Sequence, residues 1–349
     1  MHFGLFNLNQ KRDPRTSPKK ILNQLLEAVR LSEDIGMDRC WLAEHHFTDY
    51  CLCSSPLIAA AFLAGSTKKM VFAPGILVLP LYEPIRLTED YGLLDLMTSG
   101  RIELGIGIGY QSYEFNRFGV PMNENLPRTM EILDIMEMGF SEGRINYEGK
   151  YYKINDAPIT VRPSSARPPL YFAGALTNSD VPQRAIRKKY IPFVYHAWSG
   201  LDVLLSMRGV YDKAAIAEGV DPKSVPMAIE RFIYITDSKA DARVAAEQFR
   251  YSVRSARALR YDYATFDGTS IVEAPAKDEP SLDEIMANTI IGDAETCAER
   301  LVKEIRSARL THIACLTAVG SLDHQHVLKS IERFGKSVMP LVTEELKKM

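Results

Sequence analysis

Short apolar runs alternate with amphipathic stretches along most of the chain. Residues 3–8, 40–43, 70–79 and 101–108 form runs of strand length, the last of them ending in glycines. Between the first two, Ile21, Leu22, Leu25, Val29 and Ile35 recur at helical spacing after Ser17-Pro18, a cap and a first-turn proline, with Gly36 placed to end the helix. Residues 56–64, 85–97 and 128–140 carry further helical patterns. Strand-length runs return at residues 170–173, 191–195, 228–235 and 313–317, the last followed by a closing helix through residue 338. Strands that alternate with helices through short connections predict a parallel sheet covered by helices. Eight such strands predict an α/β fold, a (β/α)8 TIM barrel built as one domain over residues 1–349.

Two stretches break the rhythm. Residues 145–161 alternate about a Tyr147-Glu148-Gly149-Lys150 turn and predict an inserted hairpin. Residues 260–281 lack periodicity and are rich in Asp, Thr, Gly and Pro. They are read as a mobile lid near the C-terminal face of the barrel, with a plain surface excursion as the alternative.

With 46% hydrophobic and 25% charged residues, the 349-residue chain has material for one large core. A formal charge of −2 provides no basic field for nucleic acid. No apolar stretch is long enough to span a bilayer, and Met1-His2-Phe3-Gly4 leads straight into an apolar segment rather than a signal peptide. Five dispersed cysteines suit a reduced cytoplasm, and Cys51 and Cys53 lack a second Cys/His cluster with which to hold a metal. Ala59, Ala60, Ala61 and Ala64 predict a flat helix face for close contact with a second copy or a related chain.

In such a barrel the chemistry sits at the C-terminal ends of the strands. Four segments there stand out. Glu44-His45-His46-Phe47 follows the second strand; adjacent histidines in an extended turn point to opposite sides, so they suit a lone general acid or base better than a shared metal. The alternative is a structural histidine. Pro74-Gly75-Ile76 and Gly105-Ile106-Gly107-Ile108-Gly109-Tyr110 allow backbone to approach a flat ligand or phosphate, as barrel packing alone would also permit. Ala173-Gly174-Ala175-Leu176-Thr177-Asn178-Ser179 meets the start of a helix, where unpaired N–H groups and hydroxyls suit an anion or simply cap the helix.

Taken together, Trp41-Leu42-Ala43-Glu44-His45-His46-Phe47-Thr48, Val78-Leu79-Pro80, Pro84-Ile85-Arg86, the run from Leu93 to Arg101 and Val338-Met339-Pro340 resemble the bacterial luciferase family over nearly the whole chain. The resemblance implies a flavin-dependent monooxygenase that takes reduced FMN from a separate reductase, adds O2 to form a flavin hydroperoxide, and oxygenates a small, mostly apolar organic substrate. It implies His45 as the catalytic residue and a cis Gly75–Ile76 peptide against the flavin. It places Glu44, Gly75, Ile76, Gly107, Ile108, Gly109, Tyr110, Ala173, Gly174, Ala175, Leu176, Thr177 and Ser179 around the cofactor. Phe6, Tyr195, His196 and Trp198 are candidates for the substrate pocket, together with Tyr110. Three positions depart from the luciferase catalytic chain: Gly107 replaces a reactive cysteine, Ile108 an arginine near the flavin phosphate, and Ala175 an acidic residue. Phosphate binding then falls to Thr177, Ser179, backbone amides or a basic residue elsewhere, and the deazaflavin F420 stays open as cofactor. A non-catalytic flavin-binding partner subunit is the competing class.

Overall fold

A computed structural model describes residues 1–348 except Ala175, Thr177 and Ser179. The early strands are β1 (His2–Asn7), β2 (Arg39–Leu42), β3 (Val71–Pro74), β4 (Leu77–Val78) and β5 (Leu104–Gly107). A hairpin of β6 (Arg144–Glu148) and β7 (Lys153–Pro158) follows, then β8 (Leu170–Ala173), β9 (Ile191–Tyr195) and β10 (Ala228–Ile235). A second small hairpin, β11 (Thr265–Asp267) and β12 (Ser270–Val272), precedes β13 (Ile290–Gly292) and β14 (His312–Leu316).

Nine segments pair side by side and in parallel in the order β3-β2-β1-β14-β10-β9-β8-β5-β4. The two at the ends of this path are halves of one strand, and a parallel bridge from Phe72 to Ile102 closes the ring beside β5. Counted that way the barrel has eight strands. β13, which the apolar pattern did not reveal, pairs with the last residues of β10 through Ile233 and Ile290.

The helices begin where local chemistry directs. The Ser17 hydroxyl accepts from the Lys20 amide ahead of Pro18–Asp34, and Gly36 leaves that helix at φ 91°, a value that favours glycine. The expected run 70–79 is split by the Gly75–Ile76 peptide, which is cis. The expected run 101–108 starts late, because Arg101 turns to donate to the carbonyls of Ala64 and Met70. Two layers of core result. One lies between strands and helices, and the other fills the barrel interior with Trp41, Tyr171 and Phe193, whose rings meet at centroid distances of 5.7 to 6.1 Å.

Below these rings, at the N-terminal end of the barrel, lies a polar network. Arg39 donates to both oxygens of Glu103 at 2.9 and 3.0 Å, and the Tyr171 hydroxyl donates to Glu103 at 2.6 Å. His2 contacts Asp38 at 2.6 Å and stacks on His312.

Two expectations about the surface change in detail. In the helix Pro56–Ala64, Ala60 and Ala64 are buried inward, so the outward face is not the flat alanine surface expected. It carries Ile58 and Phe62, beside Leu93, Leu96 and Met97 on the adjoining helix Pro84–Thr98. Residues 260–281 are not structureless, since they hold the β11–β12 hairpin. Thr269 and Ser270 of that hairpin donate to the two carboxylate oxygens of Asp49 at 2.9 and 2.8 Å, and Arg254 pairs with Glu273 and Glu279 at its base. Among the described residues no helix is long and apolar enough to cross a membrane.

Candidate active site

A cavity of about 750 Å3 opens at the C-terminal end of the barrel, within the range of pockets that hold cofactors and small organic ligands. His45 lies on its wall, at the end of the turn that follows β2. Its Nδ1 stands 3.1 Å from Glu114 Oε1 and 2.9 Å from the side-chain amide of Gln111. Glu114 belongs to the short helix Ser112–Phe118, is fully buried, and also accepts the His46 backbone amide at 2.7 Å. A buried carboxylate at this distance calls for the proton on Nδ1, and the Gln111 amide agrees when its oxygen end is turned toward the ring. Nε2 then has the free lone pair, with the Tyr110 hydroxyl 3.3 Å away as donor. Burial pushes the Tyr110 hydroxyl up to about 12, so it remains a neutral donor at physiological pH.

His46 points the other way, as adjacent side chains in extended backbone must. It packs edge-on against Phe118 and contacts Glu44 Oε1 through Nε2 at 2.9 Å. Burial works against a charge on His46, but the hydrogen bond and charge of Glu44 carry its pKa above the ordinary histidine value. The other oxygen of Glu44 accepts from the Val78 amide at 3.0 Å and the Tyr82 hydroxyl at 2.9 Å. Glu44 borders the cavity, yet its hydrogen bonds brace the chain just beyond the cis peptide.

The wall containing Gly75, Ile76, Gly107, Ile108, Gly109, Ala173 and Gly174 carries few side chains. A Cβ on Gly107 would lie 2.7 Å from Ile76 Cδ1, so the Ile76 side chain rests directly against this glycine and would have to shift for any larger residue. A flat surface of backbone and small residues suits a planar heterocycle, and a flavin fits it. Leu176 borders the same cavity. Ala175, Thr177 and Ser179 lie outside the described residues, so the expected anion cradle before Asp180–Lys188 receives no geometry.

Of the residues expected around a substrate, Phe6, Tyr195 and His196 line the cavity. His196 is 4% exposed, and neither ring nitrogen has a hydrogen-bond partner. Burial and the nearby charge of Arg231 push its pKa down to about 3, so the ring is neutral. Trp198 does not line the cavity: its indole is buried in the interior apolar cluster and Arg257 stands over it. Its carbonyl accepts from Asn288, which fixes it in that position.

Several residues in or beside the cavity escaped the sequence reading. Glu114 and Gln111 follow the glycine run, where helix-start residues look routine. Tyr50 approaches His45 with ring centroids 5.0 Å apart. Glu230 had a visible signal, a Glu-Arg pair inside the apolar strand β10. Strand alternation sends Arg231 outward to Glu304 at 2.7 Å and leaves Glu230 facing the cavity, where burial pushes its pKa up to about 8. Arg257 and Arg260 lie on the last turn of Lys239–Arg260 and also border the cavity. Among the described residues no group of three or more His, Cys, Asp or Glu is arranged to hold a metal ion.

The chain is 33% identical to an uncharacterised protein (y4vJ) of Sinorhizobium fredii over 99% of both chains. It is 26% identical to the alkanal monooxygenase alpha chain of Photorhabdus laumondii over 99% of both. It is 23% identical to the oxygenase component of flavin-dependent trigonelline monooxygenase from Acinetobacter baylyi, over 99% of this chain and 96% of that one. Its fold superposes on the monooxygenase RslO1 from Streptomyces bottropensis with a TM-score of 0.83 at 18% identity, over 97% of this chain and 99% of the other. The sequence profile of luciferase-like monooxygenases matches residues 1–312, and the chain belongs to that family.

Proposed function

We propose that this protein is the oxygenase component of a two-component system, taking reduced FMN from a separate reductase and using O2 to oxygenate a small organic substrate. The observation that carries the reading is the placement of His45, anchored at Nδ1 by buried Glu114 and met at Nε2 by the Tyr110 hydroxyl, in the same cavity as the flat wall around Gly75–Ile76. The names of the relatives point the same way, the trigonelline enzyme being described as an oxygenase component.

Bound reduced FMN would supply the two electrons that, with O2, leave one oxygen atom in the product and one in water. Gly75, Ile76, Gly107, Gly109, Ala173 and Gly174 would hold its ring. His45 gives or takes a proton at Nε2, while Glu114 fixes the tautomer and balances the imidazolium when it forms. Phe6, Leu8 and Phe193 keep the inner cavity apolar, and residues 260–281 close over the mouth to exclude water. The outward face of Ile58, Phe62 and Met97 forms the contact with a second copy. Five buried free cysteines fit a reducing cytoplasm.

Anaerobic titration with reduced FMN and, separately, reduced F420, followed by 18O2 and candidate substrates, tests the reading. One labelled oxygen atom in the product, dependent on FMN, is the expected result. Stoichiometric hydrogen peroxide with every substrate assigns the chain to the non-catalytic subunit class, and activity with F420 alone overturns the cofactor.

A further inference from the structure

The helix Lys239–Arg260 carries five arginines in positions that invite comparison. Arg243 pairs with Asp283 at 2.6 Å, Arg250 pairs with Glu247 and with Glu279 at 3.6 Å, and Arg254 pairs with Glu273 at 2.6 Å and Glu279 at 2.5 Å. The last two differ. Arg257 and Arg260 border the cavity, and among the described residues neither side chain forms an ion pair or a hydrogen bond. Arg257 Nε is buried without any acceptor.

Both are held by aromatic faces instead. The Arg257 guanidinium lies 5.8 Å from the Trp198 ring and 5.5 Å from the Tyr261 ring, and that of Arg260 lies 4.9 Å from the Tyr110 ring. An aromatic platform fixes the guanidinium plane while leaving its N–H edge free, and that edge matches a carboxylate or phosphate in two-pronged fashion. The cavity's own carboxylates do not use it. Glu114 is engaged with His45 and His46, and Glu230 makes no ion pair with either arginine. These two arginines place a cationic rim on a cavity whose inner part is lined by Phe6, Leu8 and Phe193.

We propose that Arg257 and Arg260 form an oxyanion-binding rim at the cavity mouth, so that a molecule seated there carries a carboxylate, phosphate or sulfonate directed at helix Lys239–Arg260. The inference rests on the cavity being the ligand site of the preceding section. Two sources supply such a group: the substrate itself, or the phosphate of the flavin.

Equilibrium binding to the intact protein separates them without turnover. Benzoate against benzamide probes a substrate carboxylate, and oxidised FMN against riboflavin probes the cofactor phosphate. In the double variant Arg257→Gln, Arg260→Gln, the anionic member of one pair should bind at least about 10-fold more weakly, the scale of a lost charge-assisted hydrogen bond, while its neutral partner is unaffected. Loss confined to benzoate assigns the rim to the substrate, and loss confined to FMN assigns it to the cofactor. Arg254→Gln gives up two ion pairs on the same helix and should leave both ratios as in the native protein. If the double variant leaves both ratios unchanged, or if Arg254→Gln shifts them equally, the proposal is wrong. None of these measurements needs O2 or reduced flavin, so failure of the oxygenase reading would show up separately.

Discussion

The two ends of the barrel interior both hold ionisable side chains, yet they handle them in opposite ways. At the N-terminal end, Arg39, Glu103 and Tyr171 satisfy one another within 2.6 to 3.1 Å. At the C-terminal end, both ring nitrogens of His196, Arg257 Nε and one oxygen of Glu114 are buried without partners among the described residues, and Glu230 borders the same cavity. Buried polar groups without partners are costly, at roughly 1–3 kcal/mol each. The Arg39–Glu103–Tyr171 triad completes its own hydrogen bonding, whereas the unpartnered groups at the other end all border one cavity. In the proposed enzyme the first network would hold the structure and the second would meet ligands.

The strongest way to break this division is His45→Ala. General acid–base groups contribute about 100-fold to 10,000-fold in rate, so oxygenation should fall on that scale while hydrogen peroxide release rises. Flavin affinity and the melting temperature should stay near native values, and a protein that fails to fold would show that His45 belongs to the framework. Glu103→Ala makes the opposite cut. Removing one member of a buried pair costs about 3–5 kcal/mol, which denaturant unfolding should register while flavin binding to the surviving folded protein is unchanged.

Glu230→Gln sharpens the contrast because it should stabilise. The Glu230 carboxyl has its pKa raised by burial from 4.5 to about 8. Below pH 4.5 the group is neutral in both folded and unfolded chains, so the substitution gains nothing there. As pH rises the unfolded chain ionises first, and the native protein forfeits stability until its own carboxyl ionises near pH 8. The variant should therefore gain about 1–3 kcal/mol at pH 9 and almost nothing at pH 4, with thermal melts at both values as the check. An equal gain at both would point to packing rather than charge.

Smaller still is the effect of His46→Ala, which removes one hydrogen bond from Glu44 and should cost about 1 kcal/mol of stability. Its loss of turnover should be far below that of His45→Ala. Reversal of the two would exchange their roles.

The sequence was most legible where periodicity dominates. Strands at 170–173, 191–195 and 228–235 appear with the bounds read from their apolar runs, because each is buried on both faces. The run at 70–79 was legible as a strand but not as a broken one, since a cis bond at Gly75–Ile76 leaves the hydropathy pattern untouched. β13 escaped because three residues carry too little period to separate from a loop. His45 stood out through its motif, whereas Glu114, 69 residues further along, becomes its partner only when two strand ends converge. Trp198 misled because a large aromatic beside a cavity residue looks the same in sequence whether its ring faces the opening or the core.

The bonds from Asp49 to Thr269 and Ser270 have a mechanical consequence. Asp49 sits four residues after His45 in one loop, and the β11–β12 hairpin hangs from it by both carboxylate oxygens, with a backbone bond from the Asp49 amide to the Thr269 carbonyl at 2.9 Å. A hairpin fastened in this way cannot swing out alone. It must either shed three hydrogen bonds at once or pull on the strip of chain that carries the imidazole. In the proposed enzyme the doorway and the proton-handling group would thus share one linkage, and admission of a substrate would be felt at His45 before any reaction begins.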